Sequence, residues 1–140
     1  MLDKLLTMEE DARKFDNLIT DSVKDLWDQH SEIYEKVYLT VEWPDPKMCA
    51  DRFDMFNIPK DAEILDMGCG TGLVAEHLTE MGYSKIYGVD ASPGMMEKAK
   101  QKNLYTDIEE LYLGQPDTFP EKYHNRFDAI TCSGVIVEGL

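Results

Sequence analysis

The chain contains no apolar run approaching the length of a membrane span. Its first residues, MLDKLLTMEEDARKF, have neither an uninterrupted apolar stretch nor a small-residue cleavage site, so no secretory signal is expected. Basic residues are scarce: 14 Lys and Arg stand against 28 Asp and Glu, for a net charge of −14. Nucleic-acid affinity rests on Lys and Arg neutralising phosphates, so this deficit argues against an RNA or DNA partner. Cysteines number only three, Cys49, Cys69 and Cys132, far apart and without a CxxC pair. Neither a zinc site nor a disulfide framework is suggested. Each is expected to be a small, mostly buried apolar residue in a reducing cytoplasm. No Ser/His/Asp order, metal-ligand cluster or paired-carboxylate site stands out. Repeats and low-complexity tracts are absent as well.

What is present divides at about residue 60. Residues 1–60 read as an N-terminal helical segment that packs on or caps the core, and residues 61–140 as an α/β core. Residues 1–20 carry scattered apolar points and suggest a first helix. In residues 21–39, Val23, Leu26, Trp27, His30, Ile33, Tyr34, Val37 and Tyr38 recur at three- and four-residue steps, one apolar helical face. Asp21 or Ser22 is placed to cap that helix. His30, Trp27, Tyr34 and Tyr38 are expected to pack inward, although a tyrosine hydroxyl there could reach a ligand. Trp43-Pro44-Asp45-Pro46 breaks the helix. A further helix follows, with Met48, Cys49, Phe53 and Phe56 expected inward.

From Glu63 the rhythm changes. Strands are expected at Glu63–Met67, Lys85–Val89, Glu110–Leu113 and Phe127–Cys132. Helices are expected from Gly72 to Met81, stopped by Gly82, and from Pro93 to about Lys102, capped by Ser92. Alternation of this kind implies a parallel sheet with right-handed crossovers.

The first strand runs straight into Gly68-Cys69-Gly70-Thr71-Gly72. A glycine turn after a parallel strand lets backbone approach a ligand closely, at the strand ends where open α/β sheets bind. The spacing is G-x-G-x-G. A dinucleotide fingerprint needs Gly or Ala where Leu73 stands, and the lysine of a P-loop is missing. Asp90 ends the second strand, eighteen residues after Gly72. A carboxylate there can accept from two vicinal ribose hydroxyls; alone, it would equally cap a helix or end a strand. Together with the turn, the ribose assignment is the stronger. Asp66 could orient a cationic amino group through water, or simply hold the turn by accepting from its N–H groups.

These segments carry a family resemblance. ILDMGCGTG, YGVDASPGMMEKA, LGQPDTFP and FDAITCSG, in that order within residues 62–135, resemble the class I S-adenosylmethionine-dependent methyltransferases. Upstream, LWDQHSEIYEKVY followed by PDPKMCADRF looks like the entry region of the methyltransferase-like group related to the Williams–Beuren region protein. The resemblance implies a Rossmann-like sheet of strand order 3-2-1-4, S-adenosylmethionine as cofactor and S-adenosylhomocysteine as product. It implies that Gly68, Gly70 and Gly72 line the methionine part, that Asp90 binds the ribose, and that Ala91 and Met95 lie by the adenine, with Cys69 also counted among the cofactor-binding residues. Cys132 and Ser133 would sit beside the sulfonium, and Tyr34 would help close the pocket. Where many members carry Asp or Glu to accept from the adenine amino group, this chain has Gln115, whose amide oxygen can accept the same bond.

The resemblance also implies further strands beyond Leu140, so the core is expected to be C-terminally incomplete and the fourth strand to form an edge. A second copy, a partner chain or further sequence would cover that edge. The expected function is methyl transfer to a small-molecule or protein acceptor, with no general base assigned. The alternative is a truncated binding module that holds cofactor and works through its open edge. A nicotinamide enzyme is disfavoured by Leu73.

Overall fold

A computed structural model describes residue 25 and residues 27–40, 42, 44–113 and 119–135. The expectations for residues 1–20, Asp21, Ser22, Val23, Leu26, Trp43 and Gln115 lie outside the described residues.

Four strands form one parallel sheet: β1 (Ile64–Met67), β2 (Ile86–Asp90), β3 (Asp107–Glu110) and β4 (Ala129–Cys132). Their order is β3-β2-β1-β4, as the family resemblance implied. β1 lies at the centre, with Met67 level with Val89 on one side and with Cys132 on the other. The helices are α1 (residues 27–40), α2 (Asp45–Met55), α3 (Leu73–Glu80) and α4 (Pro93–Gln101).

Alternation along the strands splits the core into two layers. Ile64 and Ile86 face Ala50 and Phe53 of α2 and Val74, Ala75 and Leu78 of α3. Leu65 and Val89 face Leu111 and Tyr123 on the other side, with Phe119 and Phe127 packed against them. Burial of each such aliphatic side chain contributes about 1.5–3 kcal/mol.

Local chemistry sets the helix ends. Gly82 takes φ +94° and closes α3, with its N–H on the Thr79 carbonyl and the Tyr83 N–H on the Leu78 carbonyl. That turn delivers Tyr83 into the core, edge-on to Phe53 at 5.3 Å, with its hydroxyl on the Ile58 carbonyl. Ser92 caps α4 by accepting from the Met95 N–H, and Pro93 fills the first helical position.

Three expectations are corrected. β3 comes three residues earlier than the apolar pattern suggested. Its position is fixed by the Thr106 N–H on the Ile86 carbonyl and the Leu111 N–H on the Asp90 carbonyl, and its own sequence, DIEE, is too polar for an outer strand to announce itself. In α2 the inward residues are Pro46, Ala50 and Phe53, while Met48 and Phe56 are exposed. In α1, Ile33, Val37 and His30 are exposed, and the docked side carries Trp27, Asp28, Ser31, Tyr34, Glu35 and Tyr38. The reason is that α1 packs on the polar N-terminus and lysine side of α4 rather than on the apolar core. Among the described residues no helix is long and apolar enough to cross a membrane.

Candidate functional site

The turn after β1 is built from positive backbone angles: φ is +68° at Gly68, +52° at Gly70 and +91° at Gly72. The Gly68 and Cys69 N–H groups both reach back to the Val89 carbonyl, which ties the turn to the end of β2. The Gly70 N–H points to Asp90 Oδ2 at 2.8 Å. Asp90 Oδ1 accepts from the Ser92 N–H, also at 2.8 Å. Each carboxylate oxygen thus has one backbone donor and retains further lone-pair capacity. Burial raises the pKa of Asp90 above the ordinary aspartate range, and the N–H bonds from Ser92, Gly70 and Ala91 oppose that rise.

Two adjoining chambers open at this carboxyl edge of the sheet. The first, of about 270 Å³, is walled by Asp90, Ala91, Met95 and the segment Leu111–Leu113. The second, of about 320 Å³, is walled by Cys69, Thr71, Leu73 and Val74 from the turn and α3, and by Tyr38, Asp45 and Pro46. Trp27, Tyr34, Gly68, Gly70, Ser133 and Gly134 border both.

Of the residues singled out from sequence, Tyr34, Gly68, Cys69, Gly70, Asp90, Ala91, Met95 and Ser133 therefore come together on the walls. Asp66, Gly72 and Cys132 are placed elsewhere. Asp66 is buried beneath the turn, where it accepts from the Tyr105 and Thr131 hydroxyls, each at 2.7 Å. It does not hold the turn, whose Gly70 N–H goes to Asp90. Gly72 is buried, and a Cβ on it would stand 3.2 Å from the Tyr105 ring, so its bareness serves the packing of α3. Cys132 is exposed, contrary to the expectation of a buried thiol, because it lies in the same alternation as exposed Ile130 on β4. Burial pushes the Cys69 thiol up, with Asp66 and Asp90 adding to the effect, so it stays protonated. His77 and His124 border neither chamber.

Sequence reasoning missed Trp27, Asp45, Leu111 and Tyr112 as wall residues. A usable signal existed for the last two. Asp90 pairs with Glu110, so the residues after Glu110 emerge beside Asp90. Trp27 is edge-on to Tyr34, with ring centroids 5.6 Å apart, an arrangement that helical periodicity reads as packing.

One buried polar atom among the described residues lacks a partner, Thr71 Oγ1, in the wall of the second chamber. Leu73 and Val74, the first two residues of α3, line the same wall, and a helix start leaves its first N–H groups without partners inside the helix. The residues present thus suit a ligand with ribose-like hydroxyls at one end and an anionic group at the other.

The family described as methyltransferase domain matches residues 64–139. The chain belongs to the class I S-adenosylmethionine-dependent methyltransferase family. Human methyltransferase-like protein 27 is 35% identical over 116 residues, covering 81% of this chain and 46% of that protein. A match of that length extends upstream of β1 and takes in part of the helical segment. A ubiquinone biosynthesis O-methyltransferase of Pseudoalteromonas translucida is 33% identical over 73 residues, covering 51% of this chain and 30% of that enzyme. Among solved structures, Streptomyces venezuelae DesVI aligns at 25% identity and a TM-score of 0.48, covering 61% of this chain and 39% of that one. The methyltransferase chain thus spans less than half the length of these relatives.

Proposed function

We propose that the protein transfers a methyl group from S-adenosylmethionine to a small-molecule or protein acceptor, leaving S-adenosylhomocysteine. The observation that carries this is Asp90, held by the Gly70 and Ser92 N–H groups on the wall of the first chamber. Its remaining lone pairs suit the two ribose hydroxyls. Ala91, Met95 and Leu111 supply the apolar contacts an adenine ring needs. The start of α3 at Leu73 and Val74, with the unpartnered Thr71 hydroxyl, suits the carboxylate of the methionine end. Gly68 and Ser133 border both chambers and would receive the sulfonium end.

When bound, this cofactor supplies an already activated methyl donor. The residues of the chain then have three tasks: to hold it, to align an acceptor with it, and to exclude water. Trp27 and Tyr34 on α1 close over both chambers and serve the last of these. The acidity of the chain supports an acceptor other than nucleic acid. The three dispersed cysteines support a cytoplasmic location.

Calorimetry with S-adenosylmethionine and S-adenosylhomocysteine tests the proposal. Both are expected to bind, and Asp90→Ala is expected to abolish binding while circular dichroism shows an intact fold. Failure of the unaltered chain to bind either compound would overturn it.

A further inference from the structure

The walls of the second chamber bear two kinds of chemistry. Three rings of α1 line it, Trp27, Tyr34 and Tyr38, with Tyr34 and Tyr38 centred 5.7 Å apart. None of the three is fully buried. They form a surface for a ligand rather than part of the packed core. Asp45, in the first turn of α2, lines the same chamber. Its charge reaches both tyrosines: after burial, Asp45 is among the causes that raise each phenol, Tyr38 to about 12. Both rings are therefore neutral phenols at physiological pH. Lys47, close by on α2, is engaged by Asp51 at 2.7 Å.

Charge of the other sign is missing from this surface. Among the described residues, no Lys, Arg or His lines either chamber. With Thr71 and the start of α3 given to the methionine carboxylate, an anionic acceptor would face Asp45 and Asp90 without a counter-charge. An aromatic face, in contrast, attracts a cation, and a carboxylate does so more strongly. An oxygen acceptor would need a base to take its proton. Asp90 is committed to the Gly70 and Ser92 N–H groups, and no histidine is at hand. A nitrogen acceptor bound as the ammonium has to lose only a proton of lysine-like acidity, with a pKa of about 10, which the Asp45 carboxylate can pass to water.

We propose that the acceptor is an amine, received in the second chamber by the rings of Trp27, Tyr34 and Tyr38 and by the carboxylate of Asp45. This rests on the methyl-transfer reading given above. The bound ammonium first gives its proton to the Asp45 carboxylate, which passes it to water at the open mouth; the lone pair of the resulting neutral amine then attacks the methyl carbon, the N–C bond forms and the C–S bond breaks, with its electron pair returning to sulfur. The positive charge passes from sulfur to nitrogen, facing Asp45. The N-methylammonium then loses its proton to water at the open mouth of the chamber.

Benzylamine, benzyl alcohol and benzoate, close in size and different in charge, are the probes. They are titrated by NMR into the full 140-residue chain saturated with S-adenosylhomocysteine, and again into the chain alone. Benzylamine is expected to bind and benzoate not to bind. Asp45→Asn should weaken benzylamine roughly three- to fivefold, the range of an exposed ion pair. Tyr38→Leu should weaken it by about the same factor while Tyr38→Phe leaves it unchanged, since the ring is what attracts the cation. Benzoate binding as well as benzylamine, or Asp45→Asn leaving benzylamine unaffected, would overturn the proposal. Loss of S-adenosylhomocysteine binding alone would sink the cofactor reading, and the charge preference is still decided on the chain without it.

Discussion

The carboxylate of Asp28, on α1, accepts a hydrogen bond from the Gly94 N–H, in the first turn of α4, at 2.8 Å. The same oxygen accepts from the Ser92 hydroxyl, which in turn accepts from the Met95 N–H. One carboxylate from another helix thus completes the N-terminal cap of α4, and it does so two residues after Ala91 leaves the first chamber wall. The lid helix and the wall it covers share an anchor. Asp28→Ala is expected to cost about 1.5–3 kcal/mol, the range for hydrogen bonds to a charged group. It should also weaken S-adenosylhomocysteine binding and speed hydrogen exchange across residues 27–40. Asp28→Asn keeps an acceptor oxygen and should restore part of each effect. Unchanged exchange in α1 would show that Asp28 does not hold the lid.

Two lysines of α4 extend this contact. Lys98 pairs with Glu32 at 2.6 Å, and Lys102 pairs with both Glu35 of α1 and Glu76 of α3. The two lysine positions differ in exposure. Glu32 is mostly in water, so Lys98→Met should change stability by no more than about 0.5 kcal/mol. Lys102 is only 18% exposed, and its loss leaves two carboxylates facing each other. Lys102→Met is expected to cost about 1 kcal/mol in urea denaturation, and added salt should shrink that cost by screening the repulsion. Equal effects at the two positions would contradict this.

The contrast between helix α1 and strand β1 shows what was legible in the chain. β1 lies at the centre of the sheet, and its run of apolar residues into three glycines states both its burial and its turn. Asp90, on the wall of the first chamber, could be read for the same reason, since it ends a buried strand. α1 docks through Asp28 and Glu35, polar residues whose partners Ser92, Gly94 and Lys102, at the two ends of α4, are more than sixty positions away. Periodicity registers apolar faces only, so it turned the helix toward Ile33 and Val37, which are in water. β3 was misplaced for a related reason: as the outer strand it needs no apolar alternation, and the more apolar Leu111–Leu113 beyond it drew the assignment. Asp66 illustrates a third limit. The spacing put a carboxylate at a strand end but did not say that Tyr105 and Thr131 would enclose it.

Glycines 72 and 82 offer a paired test of backbone strain against crowding. Both take left-handed angles, +91° and +94°. A Cβ on Gly82 meets nothing within 4 Å, so Gly82→Ala carries only the conformational cost, about 1 kcal/mol. A Cβ on Gly72 would stand 3.2 Å from Tyr105 Cε2 and 3.5 Å from Ala99 Cβ. Tyr105 cannot retreat easily because its hydroxyl is held by Asp66. Gly72→Ala is therefore expected to cost about 1–3 kcal/mol more than Gly82→Ala, in the range of overpacked cores. Thermal or urea denaturation of the two variants measures the difference, and equal losses would remove the crowding argument.

Asp66 makes stability depend on pH in a direction opposite to that of a salt-bridged carboxylate. Burial is the largest influence and pushes it up to about 6, and the repulsion of Asp90 adds to this; the Thr131 and Tyr105 hydroxyls pull it down. In the unfolded chain it returns to the ordinary aspartate value of about 4. Between these values the folded protein binds the proton that the unfolded chain has released. The contribution of Asp66 is thus fully present below about pH 4 and is lost as pH rises through about 6. A two-unit gap corresponds to about 3 kcal/mol as an upper figure. Asp66→Asn removes the titration while keeping an oxygen for one of the two hydroxyls. The stability of the natural chain relative to this variant should fall from pH 4 to pH 7, by about 1–3 kcal/mol in urea denaturation. Asp90, also raised by burial, titrates in both proteins and cancels from the comparison. A difference that stays flat, or rises with pH, would mean that Asp66 is ionised in the folded protein throughout, its charge sustained by the two hydroxyls against burial.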